Sequence, residues 1–207
     1  MSLFVSFEGI DGVGKSANLD LLQDYLCGQG YEVVRPREPG GTPVGEEIRQ
    51  ILLTGEDRSL AAETELLLFL AARAQICREV IAPALSAGKL VLCDRFMDSS
   101  VAYQGYGRGL DPELVQRLNR FAVGKVVPDL TILLDLPLEK ARARQGLRET
   151  EANNRMDAES DRFMEKVRQG FLTLAAQEPE RIKIIDAAGD LATVQGRIRA
   201  EIGRILQ

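Results

Sequence analysis

The sequence predicts an α/β fold in which a five-stranded parallel sheet is flanked by helices on both faces. Two observations support this prediction: short β-rich runs alternate with longer helical patterns, and each short run is almost continuously apolar. Strands covered on both faces have such runs, and alternation with helices implies right-handed crossovers and parallel pairing. Sheets of this kind bind ligands at the carboxyl ends of their strands.

The predicted strands are apolar runs that end at a charged residue. LFVSFE closes at Glu8, LVLCD at Asp94, LTILLD at Asp135 and IKIID at Asp186, while YEVVR is shorter and more polar. Polar side chains at these ends would therefore share one edge of the sheet. The predicted strands are 3–8, 31–35, 90–94, 130–135 and 182–186.

The predicted helices fill the gaps between these strands in chain order. The first contains the amphipathic run ANLDLLQDYL, and the longest contains ETELLLFLAARAQICREVIAPAL. No repeat, low-complexity tract or linker interrupts the chain, so we predict one domain over 1–207 with a mobile polar segment at 142–162. The predicted helices are 16–29, 44–54, 62–87, 111–124, 137–146, 157–177 and 190–206.

The composition excludes several classes of protein. A net charge of −5 argues against a broad nucleic-acid surface, and the absence of histidine excludes any His-based triad, general base or metal site. No run is long enough to cross a membrane, and the N-terminus lacks a secretory pattern. Three widely spaced cysteines, Cys27, Cys77 and Cys93, suit a reduced cytoplasmic protein and offer no zinc spacing.

A phosphate-binding loop follows the first strand directly. Its pattern is G-x-x-x-x-G-K-[ST] between a strand and a helix, which is the setting that this motif requires. Glycines let backbone N–H groups surround a phosphate, Lys15 would bridge the β- and γ-phosphates of ATP, and the Ser16 hydroxyl would ligate Mg²⁺. The alternative is a glycine-rich turn that caps a helix. The loop residues are Gly9, Ile10, Asp11, Gly12, Val13, Gly14, Lys15 and Ser16.

This loop predicts the three-layer α/β/α fold of the P-loop NTPases but not the phosphate acceptor, because GTPases, motor ATPases and small-molecule kinases share it. Asp11 is either a turn-forming residue or a carboxylate that holds an acceptor hydroxyl or a neighbouring Arg. Glu38, in REPGGT after the second strand, is either part of a connecting turn or a carboxylate beside a polar ligand or its metal. Arg49 could donate to an acceptor phosphate.

Two further groups of residues are candidates for binding an acceptor. Phe69 and Arg73 are four residues apart on one helical face, where they suit either a planar base or ordinary core packing. Asp94 and Arg95 follow the third apolar strand, where the carboxylate could orient Mg²⁺ water and the guanidinium could bind phosphate. Further along the same stretch, Tyr103 and Gln104 offer an aromatic edge and an amide, and Ser99 and Ser100 precede them.

Seven segments from residue 3 to about 186 form a specific combination. The phosphate loop is widely shared, REPGGT is more specific, and their combination with F-x-x-x-R and D-R-[YF]-x-x-S-x-x-A-Y-Q-G is highly specific. In order and spacing they resemble the bacterial thymidylate kinases, within the nucleoside monophosphate kinases. The segments are FEGIDGVGKS, REPGGT, EEIRQILL, LLFLAARAQ, CDRFMDSSVAYQG, PDLTILLDL and NRMD.

The resemblance implies transfer of the ATP γ-phosphate to dTMP with Mg²⁺, a step of dTTP biosynthesis, by a homodimer. On the base side, it implies that Phe69 stacks on thymine and that Arg73 and Gln104 hydrogen-bond the edge of the base, with Ser100 beside it. It also implies that the segment around Tyr103 disfavours a ribose 2′-hydroxyl.

On the phosphate side, the resemblance implies that Arg49 and Arg95 hold the dTMP phosphate. Asp11 would lie near the sugar 3′-hydroxyl and position Arg95, while Glu38 and Asp94 would organise the acceptor and the metal. Together with Lys15 and Ser16, these residues form the predicted phosphate-transfer site.

The polar segment at 142–162 resembles a lid that closes over the phosphates. The phosphate loop carries Gly12 and no Arg, so a lid arginine would supply the extra cation, as in the bacterial type. Arg148 and Arg155 are the predicted catalytic lid residues, and Arg142 is predicted to pack against adenine. The alternative for this arginine cluster is a solvated helix face.

Two positions depart from the family pattern, and two other functions stay open. Phe96 stands where Tyr is commoner, which puts a hydrogen bond in doubt, and Ala17 leaves Ser16 as the only Mg²⁺ hydroxyl. The first alternative function is a kinase for another nucleotide or a deoxynucleoside. The second is a nucleotide switch without an acceptor, which the absence of an N-K-x-D motif disfavours.

Overall fold

The chain folds around a five-stranded parallel sheet, as predicted. A computed structural model describes residues 2–53, 60–146 and 159–206. Across the sheet, the strand order is second, third, first, fourth and fifth, and every pairing is parallel. The strands are β1 (Leu3–Glu8), β2 (Val33–Val34), β3 (Leu90–Asp94), β4 (Leu130–Asp135) and β5 (Ile182–Asp186).

The second strand is shorter than the predicted 31–35. It lies at the sheet edge and pairs only with β3, through Val33 and Val34. Pro36 follows it, and a proline has no N–H to give to a strand ladder. Pairing resumes as a single bridge between Arg37 and Asp94, which brings the start of REPGGT beside the end of β3.

The helices lie between the strands in the predicted order. The predicted helix 62–87 forms in three continuous parts: α3, a π-helix at Cys77–Ile81, and α4. Among the described helices, none is long and apolar enough to cross a membrane. The α-helices are α1 (Lys15–Gly28), α2 (Pro43–Leu53), α3 (Ala62–Ile76), α4 (Ala82–Ser86), α5 (Met97–Ser100), α6 (Pro112–Val123), α7 (Leu138–Gly146), α8 (Asp161–Gln177) and α9 (Leu191–Leu206).

Apolar residues cover both faces of the sheet. Val5 and Phe7 belong to a large core cluster, whereas Phe4 belongs to a second cluster. Successive residues of a strand point to opposite faces, so the two clusters lie on opposite sides of β1. The same alternation holds in β3, where Leu92 and Cys93 belong to different clusters.

A helical segment after β3 is the main element that sequence reasoning missed. Helix α5 continues as a π-helix at Val101–Gly107. Its start is stabilised from a distance, because the Glu8 carboxylate accepts hydrogen bonds from the backbone N–H groups of Phe96 and Ser99. A helix capped by a residue about ninety positions away carries no local start signal, so the predicted helices include none in this stretch.

Candidate active site

The phosphate loop requires glycine at two points because the backbone there is left-handed and closely packed. Gly9 has φ 130° and Gly12 has φ 86°. A Cβ at Gly9 would lie 2.4 Å from the Leu134 carbonyl oxygen, and one at Gly12 would lie 2.3 Å from that of Ala141. The loop is therefore held between the end of β4 and helix α7, with α1 starting at its far end.

Lys15 reaches back across this loop. Its Nζ donates to the carbonyl oxygens of Gly9 and Ile10, at 3.0 Å each, and lies 3.6 Å from Oδ1 of Asp11. Burial and the charge of Arg95 lower the Lys15 pKa, while Asp11 works in the opposite direction. The ammonium group is thus fixed inside the loop, where the motif requires a cation for the ATP phosphates.

Arg95 follows the end of β3 and contacts the phosphate loop through Asp11. Arg95 Nη2 donates to Asp11 Oδ1 at 2.6 Å, and its Nη1 donates to the Gly9 carbonyl oxygen at 3.1 Å. Although burial alone would raise the Asp11 pKa, the charges of Arg95 and Lys15 lower it below its ordinary value. Asp11 therefore holds a neighbouring Arg. Arg95 itself has φ 65°, a strained backbone conformation for a side chain of this size.

Glu8, the last residue of β1, holds the residues that follow Arg95, and the sequence analysis assigned it no role. Its side chain is fully buried and accepts from the N–H of Phe96 at 2.8 Å and from the Ser99 hydroxyl at 2.5 Å. Arg95 Nη1 also donates to the Ser99 hydroxyl, at 3.3 Å. Burial, reinforced by Asp98, raises the pKa of Glu8 to about 8. The sequence signal that could have identified Glu8 is an acidic residue that ends a buried strand directly before the phosphate loop.

Arg73 is the centre of a buried polar network. Its guanidinium donates to Glu38 Oε2 at 2.7 Å, Ser100 Oγ at 2.8 Å, Asn119 Oδ1 at 2.6 Å and the Phe96 carbonyl oxygen at 3.0 Å. Only 1% of the Arg73 side chain is exposed. The structure thus brings together Arg73, Glu38 and Ser100, whose roles in binding stay predictions, and adds Asn119, which sequence reasoning missed.

The surroundings of Phe96 explain why a Phe can stand where Tyr is commoner. The ring is fully buried, packs edge-on against Phe4 with centroids 4.9 Å apart, and lies 5.5 Å from the Arg73 guanidinium carbon. This environment is apolar apart from a cation over the ring face, so a phenyl group suits it without a hydroxyl.

The acceptor side of the loop is built from REPGGT and the end of β3. A cis peptide bond joins Glu38 to Pro39, and the Glu38 N–H donates to the Asp94 carbonyl oxygen at 3.0 Å. Burial raises the Glu38 pKa, although Arg73 opposes this, and Oε1 of Glu38 is buried without a hydrogen-bond partner among the described residues. Arg49 reaches the same turn and donates to the Pro39 carbonyl oxygen at 2.8 Å.

Polar contacts join helix α3 to the segment after β3. Glu65, Phe69 and Arg73 are spaced by four residues and share one helical face, as do Ser100 and Gln104. Arg73 contacts Ser100, and Gln104 Nε2 donates to Glu65 Oε1 at 2.8 Å. Phe69 lies between these contacts in α3, is half-buried, and belongs to neither core cluster of the described residues. The Phe69 ring is therefore not part of the apolar core among the described residues, which favours the base-stacking interpretation over core packing.

Tyr103 lies under the guanidinium of Arg95. The distance from the Arg95 guanidinium carbon to the Tyr103 ring centroid is 5.1 Å, and the ring packs near Phe163 and Phe171. Burial raises the Tyr103 pKa, and its hydroxyl is buried without a hydrogen-bond partner among the described residues. A buried polar atom with no partner in the described part of the chain suits a position beside a bound ligand or water.

A cavity of 190 Å³ opens beside the phosphate loop. Arg144 lines it, whereas Arg142 points elsewhere: Arg142 donates to Asp161 at 3.1 Å and to the Glu159 carbonyl oxygen at 2.8 Å. The prediction that Arg142 packs against adenine stays a prediction, and the neighbouring Arg144 of the same arginine cluster is the residue that lines the cavity. The lining residues are Val13, Gly14, Asn18, Arg144, Ala187, Gly189, Leu191 and Val194.

Two predicted catalytic arginines, Arg148 and Arg155, lie outside the described residues. The predicted metal residues are within them: Ser16 is exposed at the start of α1, and Asp94 lies at the end of β3, paired in register with Phe7 of β1. Within the described ranges, no group of three or more His, Cys, Asp or Glu residues forms a metal site. A hydroxyl and one carboxylate suit Mg²⁺, which uses few protein ligands together with water and substrate phosphates.

Comparisons with known proteins agree with this geometry. The family described as thymidylate kinase matches residues 7–198. A thymidylate kinase from Desulfovibrio desulfuricans is 52% identical over 191 residues, which are 90% of this chain and 88% of the relative. One from Syntrophotalea carbinolica is 50% identical over 202 residues, 96% of this chain and 94% of the relative. The chain belongs to the thymidylate kinase family.

A solved structure of a thymidylate kinase from Ehrlichia chaffeensis has the same fold. Its TM-score is 0.78 at 35% sequence identity, and the match covers 98% of each chain. Membership of the thymidylate kinase family selects among the functions left open by the phosphate loop, since it places the chain with the nucleoside monophosphate kinases. The predicted family and fold are therefore confirmed, whereas the roles of individual residues stay predictions.

Proposed function

We propose that the chain transfers the γ-phosphate of ATP to dTMP and so produces dTDP and ADP. The observation that carries this proposal is the meeting of two cations at one carbonyl group. Lys15 and Arg95 both donate to the Gly9 oxygen, at 3.0 and 3.1 Å, although they come from different elements. Lys15 belongs to the ATP loop and Arg95 adjoins the acceptor side, so the γ-phosphate and the dTMP phosphate would meet between them.

The donor would bind along the phosphate loop and the neighbouring cavity. The triphosphate would take the backbone N–H groups at the start of α1, and the adenine would enter the cavity lined by Arg144 and Gly189. Arg144 Nη2 lies 3.5 Å from the Gly189 carbonyl oxygen, so its planar guanidinium closes one side of that cavity. We propose Arg144 for the adenine contact first assigned to Arg142.

The acceptor would bind between α3 and the segment after β3. Phe69 would stack on thymine, and Arg73 and Gln104 would contact its edge, with Ser100 alongside. The buried ring of Tyr103 would leave no room for a ribose 2′-hydroxyl. Arg49 and Arg95 would bind the dTMP phosphate, and the Asp11–Arg95 ion pair keeps the Arg95 fork oriented before substrate arrives.

Mg²⁺ would bind the ATP phosphates through the Ser16 hydroxyl, with Asp94 orienting a coordinated water. When bound, the ion neutralises charge on the phosphate oxygens.

Catalysis would consist of alignment and charge compensation. The dTMP phosphate is already anionic at neutral pH, so the reaction needs no strong general base, in agreement with the absence of histidine. Lys15 and Arg95 would bind the transferring and accepting phosphates. Arg148 and Arg155 remain the proposed lid cations, which would complete the charge compensation.

The proposed homodimer would use the exposed apolar side chains of α3 and α6. Leu67 is 59% exposed in α3, and Phe121 is 89% exposed in α6. Leu114 lies seven residues before Phe121 and so shares its helical face. Large exposed apolar residues on two adjacent helices indicate an interface between proteins.

A cytoplasmic location of the chain also stays a proposal.

An acceptor panel tests the proposed substrate. With ATP and Mg²⁺ held constant, initial rates are measured for dTMP, dUMP, dCMP and thymidine. We expect the highest kcat/KM for dTMP and no transfer to thymidine, which lacks the phosphate that Arg95 would bind. A higher kcat/KM for dCMP or thymidine would contradict the proposal.

A further inference from the structure

Glu65 is a buried charged residue to which the proposed reaction gives no part. Its side chain is fully buried in α3, and Arg108 balances its charge through two hydrogen bonds of 3.1 Å each. Oε1 also accepts a hydrogen bond from Nε2 of Gln104 at 2.8 Å. An ionised buried carboxylate is therefore held directly against a predicted base-reading amide.

This contact determines which way the Gln104 amide faces. A carboxylate can only accept hydrogen bonds, so the NH₂ group of the amide must turn towards Glu65 and the oxygen must turn away. The pairing with Arg108 keeps Glu65 ionised and thus keeps it an acceptor. Among the described residues, the hydrogen bond given for the Gln104 side chain is this one, made through Nε2 and not through the amide oxygen.

The freed oxygen lies in the region where the acceptor base is expected. Gln104 and Ser100 share one face of their segment, and Ser100 contacts Arg73. Phe69 lies in α3 halfway between Glu65 and Arg73, so a base stacked on its ring would be flanked by Gln104 and Arg73. The base would meet the Gln104 amide oxygen, because the Arg73 guanidinium already donates to four protein acceptors.

That pattern discriminates between pyrimidines. Thymine and uracil carry an N3–H donor beside the O4 acceptor, whereas cytosine has an N3 lone pair beside an amino donor. An amide oxygen accepts from N3–H but opposes the N3 lone pair of cytosine. If the amide turned over, its NH₂ group would suit cytosine instead.

We propose that Glu65 is a positioning residue that fixes the Gln104 amide with its oxygen towards the acceptor base, and so makes the site prefer thymine or uracil to cytosine. The proposal rests on the function given above, because it assigns a selectivity to that same acceptor site. Glu65 itself acts through Gln104 and does not touch the substrate.

Glu65→Gln tests this role in the full-length chain. A glutamine can offer either an oxygen or an NH₂ group to Gln104, so the amide is free to turn. We expect the ratio of kcat/KM for dTMP to that for dCMP to fall about tenfold or more, mainly through KM. Glu65→Asp keeps an acceptor-only group and should retain most of the ratio. Arg108→Lys, which alters the same ion pair but keeps its charge, is the matched control and should retain the ratio too.

A double mutant separates positioning from structural damage. In a Gln104→Met background there is no amide to orient, so adding Glu65→Gln should leave the dTMP-to-dCMP ratio unchanged. An equal effect of Glu65→Gln in both backgrounds would overturn the inference. If Glu65→Gln does not fold, Gln104→Met alone must still lower the ratio, and an unchanged ratio would overturn the inference.

Binding of dTMP and dCMP to the unmodified chain, measured by calorimetry without ATP, keeps the two proposals distinguishable. A wild-type chain without preference for dTMP would overturn the proposed function and this inference with it. A wild-type preference that Glu65→Gln leaves intact would overturn the inference alone.

Discussion

Single residues at this site are set by neighbours that lie far away in the sequence. Arg95 holds a left-handed backbone with φ 65° because Asp11 and the Gly9 carbonyl oxygen bind its side chain and Glu8 fixes the next N–H groups. The motif Asp-Arg after an apolar strand predicted a phosphate-binding Arg. The family resemblance implied its partner Asp11, whereas the contacts with the Gly9 carbonyl oxygen and the support from Glu8 could not be predicted, because they depend on which strands are adjacent.

Lys15→Met should abolish most of the phosphoryl transfer. The ammonium group is fixed in the loop by two carbonyl groups, and removal of one preorganised charged donor commonly lowers kcat by about 10²- to 10³-fold. Steady-state kinetics would measure kcat, and calorimetry should give an unchanged dTMP affinity. Lys89→Met, at an exposed pair with Glu32, is the control and should retain wild-type rates. Retention of more than a tenth of kcat in Lys15→Met would be incompatible with this role.

Phe69→Ala separates the two interpretations of that ring. Stacking of a base on an aromatic side chain contributes about 1–3 kcal/mol, so the KM for dTMP should rise about five- to a hundredfold. The melting temperature should change little, because Phe69 belongs to neither core cluster among the described residues. Val127→Ala trims an exposed apolar side chain outside the proposed homodimer surface and serves as the control. A lower melting temperature with an unchanged KM would return Phe69 to a packing role.

At the scale of elements, buried polar contacts hold the segment after β3. Glu8 stabilises the start of α5, and Asp98 within α5 receives two hydrogen bonds from Arg181, at 2.7 and 2.8 Å, just before β5. The strands and most helices followed from apolar runs and their spacing. This segment did not, because its stabilising groups come from β1 and from the approach to β5.

Glu8→Gln should change how stability depends on pH. Burial raises the folded pKa of Glu8 to about 8, so the folded state keeps a proton that the unfolded state loses above about pH 4.5. The contribution of Glu8 to the unfolding free energy therefore falls as pH rises from about 4.5 to about 8, by at most about 1.4 kcal/mol per pH unit. Denaturant unfolding at several pH values should show this slope reduced in Glu8→Gln. Parallel curves for the two proteins would show that Glu8 is not the group responsible.

Arg181→Met should destabilise the fold strongly. Asp98 is only 3% exposed, and a buried ion left without its partner costs about 3–5 kcal/mol. Chemical denaturation measures this loss. Glu180→Gln breaks the exposed pair with Lys183 and should cost less than about 1 kcal/mol. A similar small change in both variants would show that the Asp98–Arg181 pair does not anchor this segment.

In the molecule as a whole, the sheet gathers the reacting groups at one edge. The phosphate loop follows β1. Asp94 is the last residue of β3, and Arg95 comes directly after it. Asp135 is the last residue of β4, and Arg168 donates to both of its carboxylate oxygens, at 2.8 and 2.9 Å. The position of the site at the carboxyl ends of the strands was predictable, because charged residues end the buried parallel strands there. The choice of Arg144 over Arg142 at the cavity was not, because it depends on the rotation of α7 about its axis.

Direct observation of the reaction products tests the central proposal. The chain is incubated with ATP, Mg²⁺ and dTMP, and the nucleotides are separated and quantified over time. The proposed function predicts that dTDP and ADP form in equal amounts and that ATP is stable when dTMP is left out. Release of ADP at the same rate without dTMP, and with no dTDP formed, would contradict it.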